Sequence, residues 1–286
     1  MKLSVPGALT GFFHPQPGKT PKDTGSPGFG LAVDSVVIVR VRRLRAERLR
    51  VRADHPIDSR IARKCYEVLD PDGGLSVRYE FSVPPGCGLG TSAASALGTL
   101  AAGAAEIGLE VSPEWIARRA YEIELELGTG IGDVVTIWHG GAVLRVGPGY
   151  PDEVLIHRIP VEPDLRVLIY EPRPIETREA LDGLSGTEVA LRYLKELERH
   201  PDLELALRRS LEFAERLGFS EEVKLAKELS HKHLGASIAM LSRTVFAVSW
   251  EQDPQADVEL PVSCSSFPEI ISGISEIQCE RGLRDV

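Results

Sequence analysis

The sequence predicts an α+β protein of two domains, on three observations. Strand-like runs crowd the first half of the chain and helical patterns the second, so the two kinds of element are segregated instead of alternating as βαβ units. The length, 286 residues, lies where a single hydrophobic core stops growing and two ordinary domains become possible. Composition is that of a globular chain, with 43% hydrophobic and 26% charged residues, which excludes a disordered, collagen-like or coiled-coil chain. The division is expected near residue 160, giving a strand-rich domain over 1–160 and a helix-rich domain over 161–286.

Each element has its own signal. The first thirty residues carry Pro6-Gly7, Pro15, Pro17-Gly18, Pro21, Gly25 and Pro27-Gly28, and read as loops around one short strand. Residues 36–42, Val-Val-Ile-Val-Arg-Val-Arg, read as a buried strand emerging to a solvated face, and residues 75–83 as an alternating strand. A helix of small residues follows over 93–107, stopped by Gly108. Ser112-Pro113 opens the next helix, with Ser as N-cap and Pro at the first helical position, and that helix runs to about Leu127. Strand-like runs near 141–146 and 154–159 close the first half. The second half starts with a buried strand over 165–170. Helices follow at about 176–199, 201–217 and 220–233, then a helix and a strand within 235–249. The tail from Glu251 reads as irregular, with one late strand near 276–280.

Net charge is −9 and the pI about 5.4, a balance that argues against nucleic acid or an anionic membrane as main partner. No run of 18 apolar residues marks a membrane span. The start, Met1-Lys2-Leu3-Ser4, lacks the apolar stretch of a secretory signal. None of the four cysteines forms a C-x-x-C pair, so neither a disulfide framework nor a zinc site is expected, and the cytoplasm is the default compartment. The chain has no Asn, four Gln, and 25 Arg among its 33 basic residues, a bias that points to a hot source.

Two segments carry chemistry. In Pro84-Pro85-Gly86-Cys87-Gly88-Leu89-Gly90-Thr91-Ser92-Ala93, three glycines stand between a strand and a helix. Glycine lets the backbone turn and bring N–H groups close to a ligand, and a helix N-terminus adds unpaired donors and partial positive charge. Together they make a phosphate cradle, with Thr91 and Ser92 supplying hydroxyls. No Lys follows, so it is not a Walker A loop, and it is not a dinucleotide G-x-G-x-x-G either. The plainer reading is a tight turn under a close-packed helix. The second segment is Glu122-Ile123-Glu124-Leu125-Glu126, followed by Gly-Thr-Gly-Ile-Gly-Asp133. Carboxylates suit Mg²⁺ and can accept a proton from a hydroxyl. Glu122 and Glu126 share a helical face and Glu124 lies across from them, so the three cannot meet one site. Asp133, in a glycine-rich loop beside Val134-Val135, is the stronger functional candidate.

Pro84-x-x-x-Gly88-Leu89-Gly90-Thr91-Ser92-Ala93-Ala94 resembles the P-x-x-x-G-L-G-S-S-A-A signature of the GHMP kinases. The resemblance extends to the archaeal pantoate kinase branch of that family. It is carried by Pro6-Gly7-Ala8-Leu9-Thr10-Gly11-Phe12-Phe13, by Gly128-Thr129-Gly130-Ile131-Gly132-Asp133-Val134, by Gly140-Gly141-Ala142-Val143-Leu144-Arg145, and by Ser237-Ile238-Ala239-Met240-Leu241-Ser242-Arg243-Thr244-Val245-Phe246-Ala247. It implies a two-domain GHMP fold with a ferredoxin-like second domain, and ATP-dependent phosphorylation of the 4-hydroxyl of D-pantoate. It implies ATP on Pro84, Gly86, Gly88, Leu89, Gly90, Thr91, Ser92 and Ala93, Mg²⁺ on Ser92 and Glu124, and Asp133 as base. Ser26, Tyr121 and Arg145 match positions that hold pantoate; the family pattern has His where Tyr121 stands. An Arg suits a carboxylate because its planar fork can pair with both oxygens. A homodimer is implied as well. Two other readings share these residues: a related kinase for mevalonate or homoserine, and a non-catalytic ATP-binding regulatory protein.

Other features have bland readings. The seven Arg between 40 and 52 read as a solvated strand pair, His231 and His233 as cations at a helix end, and Cys87 as a small residue that fits its loop.

Overall fold

The computed structural model describes residues 1–175 and 185–272. The late strand expected at 276–280, Cys279 and the first part of the helix expected from 176 lie outside the described residues. β1 (Lys2–Phe13), β2 (Gly28–Leu44), β3 (Leu49–Ala53), β4 (Gly74–Phe81), β5 (Ala142–Arg145) and β6 (Ile156–Ile159) form one six-stranded sheet, ordered β3-β4-β2-β5-β6 with β1 also paired to β2. β2 organises the sheet, because it pairs antiparallel with β1 along most of its length, with β5 at Gly28–Leu31 and with β4 at Val37–Leu44.

The N-terminal strand is longer than its Pro and Gly content suggested. β1 accommodates them through two irregularities, between Val5 and Gly7 and between Thr10 and Phe12. Bulges of this kind are where a strand can hold proline or glycine without losing its ladder.

Helices α1 (Arg60–Leu69), α2 (Thr91–Ile107), α3 (Pro113–Leu127) and α4 (Gly132–His139) belong to this half. α2 is buried almost throughout, and its small side chains let it lie directly on β1 and β2. Ser112 caps α3 as expected, its Oγ accepting from the Trp115 N–H at 3.2 Å. α1 and α4 were not foreseen. α1 does show a helical stripe, with Ile61, Ala62, Cys65 and Leu69 buried.

The seven arginines between 40 and 52 lie on β2, β3 and their connection. Arg40 pairs with Glu80 at 3.1 Å and Arg43 with Asp72 at 3.6 Å, while the remaining five are solvent-exposed.

The second sheet is four-stranded and antiparallel, ordered β10-β7-β9-β8, from β7 (Arg166–Tyr170), β8 (Gly235–Ile238), β9 (Val245–Ser249) and β10 (Val258–Pro261). With it come helices α5 (Val189–Arg199), α6 (Leu203–Arg216), capped by Asp202 whose Oδ1 accepts from the Leu205 N–H at 2.7 Å, and α7 (Ser220–Ser230). The helix expected within 235–249 is instead the strand β8. Its residues are buried on both faces, and a short buried run of small residues has no periodicity to separate strand from helix. β10 lies in the tail that read as irregular. His233 is not a free cation at a helix end: it lies 3.4 Å from Asp253 and its Nδ1 meets Ser249 Oγ at 3.2 Å. Phe12 of β1 meets Tyr193 at 5.7 Å and Phe213 at 6.4 Å between ring centres, which closes α5 and α6 onto the first sheet. Among the described residues, no helix is long and apolar enough to cross a membrane.

The α2 contact gives a direct stability test. A Cβ on Gly98 would lie 2.6 Å from Val39 Cγ2 and 2.8 Å from Val5 Cγ2. Helix propensity favours Gly98→Ala by about 1 kcal/mol, whereas overpacking a filled core costs roughly 1–3 kcal/mol. Packing is expected to win, so Gly98→Ala should lower the urea midpoint; an unchanged or raised midpoint would mean that α2 can move off the sheet.

Candidate active site

The glycine loop between β4 and α2 folds as its composition demands. Gly86, Gly88 and Gly90 have φ of 90°, 74° and 62°, in the left-handed region that disfavours a side chain. Neighbours leave no room for one either: a Cβ on Gly88 would lie 2.8 Å from Ala239 Cβ. The loop is anchored by the Ala8 N–H to the Leu89 carbonyl at 3.0 Å and by the Ile175 N–H to the Gly86 carbonyl at 3.1 Å. Gly90 is the N-cap of α2, so the N–H groups of Thr91, Ser92 and Ala93 have no partner within the helix.

Ser92, in the first turn of α2, donates its hydroxyl hydrogen bond to Glu124 Oε1 on α3. Glu124 is buried, 1% exposed, and its Oε2 has no protein partner. The other two glutamates face away. Glu122 pairs with Arg119 and accepts from the Tyr150 hydroxyl at 2.9 Å, and Glu126 pairs with Lys64 at 2.6 Å. Burial pushes the Glu124 carboxyl up to about 8, against the hydrogen bonds from Ser92 and Thr129, and the Asp133 charge pushes the same way. A buried carboxylate oxygen without a donor, beside a hydroxyl, is a donor set that fits a hard divalent cation.

Asp133 sits in the first turn of α4 and not in the loop expected for it. Its Oδ1 accepts from the Thr10 hydroxyl at 3.1 Å. Burial raises its pKa to about 6, while Arg145 and the Thr10 hydrogen bond oppose that rise. It lies against the glycine loop, since a Cβ on Gly90 would be 3.0 Å from Asp133 Cβ.

Arg145, at the end of β5, is 1% exposed. Its Nε donates to the Ser26 carbonyl at 2.9 Å and its Nη1 to Thr136 Oγ1 at 2.8 Å, while Nη2 has no partner. Two of its five N–H donors are thus used inside the protein, leaving one on Nη1 and both on Nη2. Burial lowers the Arg145 pKa to about 10, and the nearby Asp133 charge resists that fall. Tyr121 is likewise committed, donating to the Thr24 carbonyl at 2.7 Å. Tyr121, Arg145, Ser26 and Gly132 enclose a small inner pocket of about 10 Å³.

Beside it opens a cleft of about 260 Å³ whose lining includes Thr10, Thr24, Ser26, Glu124, Asp133 and Met240. The sites read from the sequence thus lie close together: Glu124 and Asp133 line the cleft, Arg145 lines the inner pocket beside it, and the glycine loop meets the two carboxyls through Ser92 and Gly90. Thr10 and Thr136 had no assigned role in the sequence. A hydroxyl within the otherwise apolar run Ala8-Leu9-Thr10-Gly11-Phe12-Phe13 was the signal for Thr10.

Residues 59–141 match the GHMP kinases N terminal domain. The chain is 30% identical to a pantoate kinase of Thermococcus kodakarensis over 98% of its own length and 97% of that protein. The chain belongs to the pantoate kinase family. A second pantoate kinase, from Methanocaldococcus jannaschii, is 28% identical over 93% of this chain and 100% of that one. A solved structure described as a phosphotransferase related to the CoA biosynthesis pathway superposes with a TM-score of 0.77 at 25% identity, covering 93% of this chain and 96% of the other. The GHMP fold and the kinase class follow for this member of the pantoate kinase family.

Both buried carboxyls are held above their unfolded values, so folding favours their neutral forms. In metal-free buffer their contribution to stability is complete at low pH. It is lost as pH rises, from about 4.5 to about 8 for Glu124 and from about 3.8 to about 6 for Asp133. Glu124→Gln cannot ionise, so its melting temperature should rise relative to wild type between pH 5 and pH 8. A difference that stays constant over that interval would show that Glu124 is ionised in the folded protein throughout.

Proposed function

We propose that the chain transfers the γ-phosphoryl group of ATP to the 4-hydroxyl of D-pantoate, giving 4-phosphopantoate in the route to coenzyme A. The observation that carries this reading is the position of Asp133, on the wall of the cleft and directly against the glycine loop at Gly90. A proton acceptor and a phosphate-type loop are neighbours there. The family's activity supplies the substrate class.

Phosphoryl transfer asks a protein mainly for positioning and charge neutralisation. Gly86, Gly88, Leu89, Gly90, Thr91, Ser92 and Ala93 hold the triphosphate with backbone N–H groups and the α2 dipole, and Pro84, which has no N–H to give, opens the loop. Ser92 and Glu124 would hold Mg²⁺, which would supply charge neutralisation on the phosphoryl oxygens. Asp133 orients the acceptor hydroxyl and takes its proton as the new P–O bond forms and ADP leaves. Ser26, Tyr121 and Arg145 form the acceptor end. With the N–H of Nε and one of Nη1 committed, Arg145 offers the pantoate carboxylate the remaining N–H groups of Nη1 and Nη2 and its charge. Tyr121 acts through the loop it holds by Thr24.

The Asn-free composition and the archaeal relatives support a cytoplasmic enzyme from an archaeon living hot, and the family resemblance supports a homodimer.

The test is ADP release from ATP and Mg²⁺ with D-pantoate, pantothenate, mevalonate or homoserine, wild type beside Asp133→Ala. Turnover is expected on D-pantoate, and Asp133→Ala should reduce it by roughly 10²–10⁴-fold, the scale of a positioned acid–base group. Turnover on mevalonate or homoserine instead would keep the kinase class and discard the substrate.

A further inference from the structure

We propose that Thr10 is a positioning residue for the reaction: its hydroxyl holds Asp133 Oδ1 and so leaves Oδ2 as the oxygen that meets the acceptor hydroxyl. The inference rests on Asp133 acting as base in the reading above.

The local fold of β1 is built to aim this one side chain. In a regular strand successive residues point to opposite faces. Here Leu9 pairs with Leu31 and Thr10 with Gly30, but Phe12 already pairs with Phe29, so an extra residue, Gly11, is taken up between them. Bulges of this kind redirect side chains beside active sites. Leu9 and Phe12 stay in the core on either side, while Thr10 turns to the cleft. Gly11 is required there, because a Cβ on it would lie 2.1 Å from Ser210 Oγ of α6. The bulge is therefore pinned by packing from the second half of the chain.

The backbone of Thr10 is held as firmly as its hydroxyl. Its carbonyl accepts from the Met240 N–H at 3.0 Å. Met240 and Leu241 also line the cleft, and Leu241 has φ of 63°, an uncommon conformation for a branched side chain that persists only where its surroundings impose it. Thr10 thus joins the 239–242 turn, through its carbonyl, to Asp133, through its hydroxyl.

A carboxylate has two oxygens and one rotatable bond near its end. With Oδ1 fixed as acceptor, rotation is stopped and one oxygen is presented. Loss of that bond leaves the Asp133 backbone in place, since α4 still holds it, but lets the carboxylate plane turn. Misorientation of a reacting group lowers kcat rather than substrate affinity, and a displacement near 1 Å can cost about 10²-fold.

The experiment is steady-state kinetics of the full chain with ATP, Mg²⁺ and D-pantoate. Wild type is compared with Thr10→Val, Thr10→Ala, Thr10→Ser and Asp133→Ala, each with a melting curve and a calorimetric ATP affinity. Thr10→Val keeps the branched shape and the backbone bond to Met240 but has no hydroxyl. It should lower kcat by about 10- to 100-fold with both KM values within about 3-fold of wild type. Thr10→Ser restores the donor and should bring kcat back to within about 3-fold. Thr10→Ala repeats the test should the Val variant not fold. A kcat within about 2-fold of wild type in a folded hydroxyl-less variant, a loss that falls on KM, or a Ser variant as impaired as Val would overturn the assignment. If wild type turns over and Asp133→Ala does not, such results remove Thr10 alone. Wild type silent on D-pantoate removes the substrate reading and this inference with it.

Discussion

Three ionisable groups are kept from water, Glu124 and Asp133 at the cleft and Arg145 at the small pocket beside it, and much of the surrounding structure holds them there. Glu124, Asp133 and Arg145 sit on three different elements, α3, α4 and β5. Burial alone would push each toward its neutral form. What offsets it is a set of short-range partners: Ser92 for Glu124, Thr10 and the Arg145 charge for Asp133, Ser26 and Thr136 for Arg145. The compensation is incomplete on both sides, since Glu124 Oε2 and Arg145 Nη2 remain bare. Each bare atom costs folding free energy, and each has the chemistry to bind something the apo fold lacks: a cation at Glu124, an anion at Arg145.

Close approach is the second constraint, and small residues meet it. The glycine loop must pass between α2, the 239–242 turn and Asp133, which is possible only where Gly88 and Gly90 carry no side chain. α2 must lie flat on β1 and β2 for its N-terminus to meet Glu124 and Asp133, and Gly98 and the alanines around it allow that. A stripe that reads in isolation as a core device therefore also fixes where the unpaired N–H groups of α2 point.

How much of this was legible follows from the range over which each signal acts. The glycine loop, the Ser112 cap and the 36–42 part of β2 depend on neighbours in sequence, and the residues announced them; the rest of β2, from Gly28, lay in a stretch whose Gly and Pro content read as loop. α4 was hidden because two glycines precede it, a third opens it, and its eight residues are too few for a periodic stripe to emerge. β8 was mistaken for helix because a strand buried on both faces has no alternation. Arg145 was the least legible of all: an arginine closing a four-residue strand in an Arg-rich chain looks solvated, and only the tertiary fold brings Thr136 and the Ser26 carbonyl to it. The choice of Glu124 over Glu122 and Glu126 came from resemblance. Geometry supplies a physical ground for it, since the other two have Arg119, Tyr150 and Lys64 as partners on the outer face.

An acidic protein that takes a polyanionic nucleotide needs local charge to oppose its net −9. The loop over 84–92 contains no Lys or Arg, so the chain does not answer a triphosphate with a side-chain cation at the cradle itself. Backbone dipoles at the α2 N-terminus contribute about half an elementary charge, far short of what a triphosphate carries. Arg145 is partly cancelled by Asp133 and is held back from the loop by its own hydrogen bonds. In the proposed reaction the remaining charge would come with the ligand, as Mg²⁺, and the buried, unpartnered oxygen of Glu124 beside Ser92 has the chemistry to receive it. On this account the absence of a loop lysine and the presence of an orphaned carboxylate oxygen are two sides of one electrostatic arrangement.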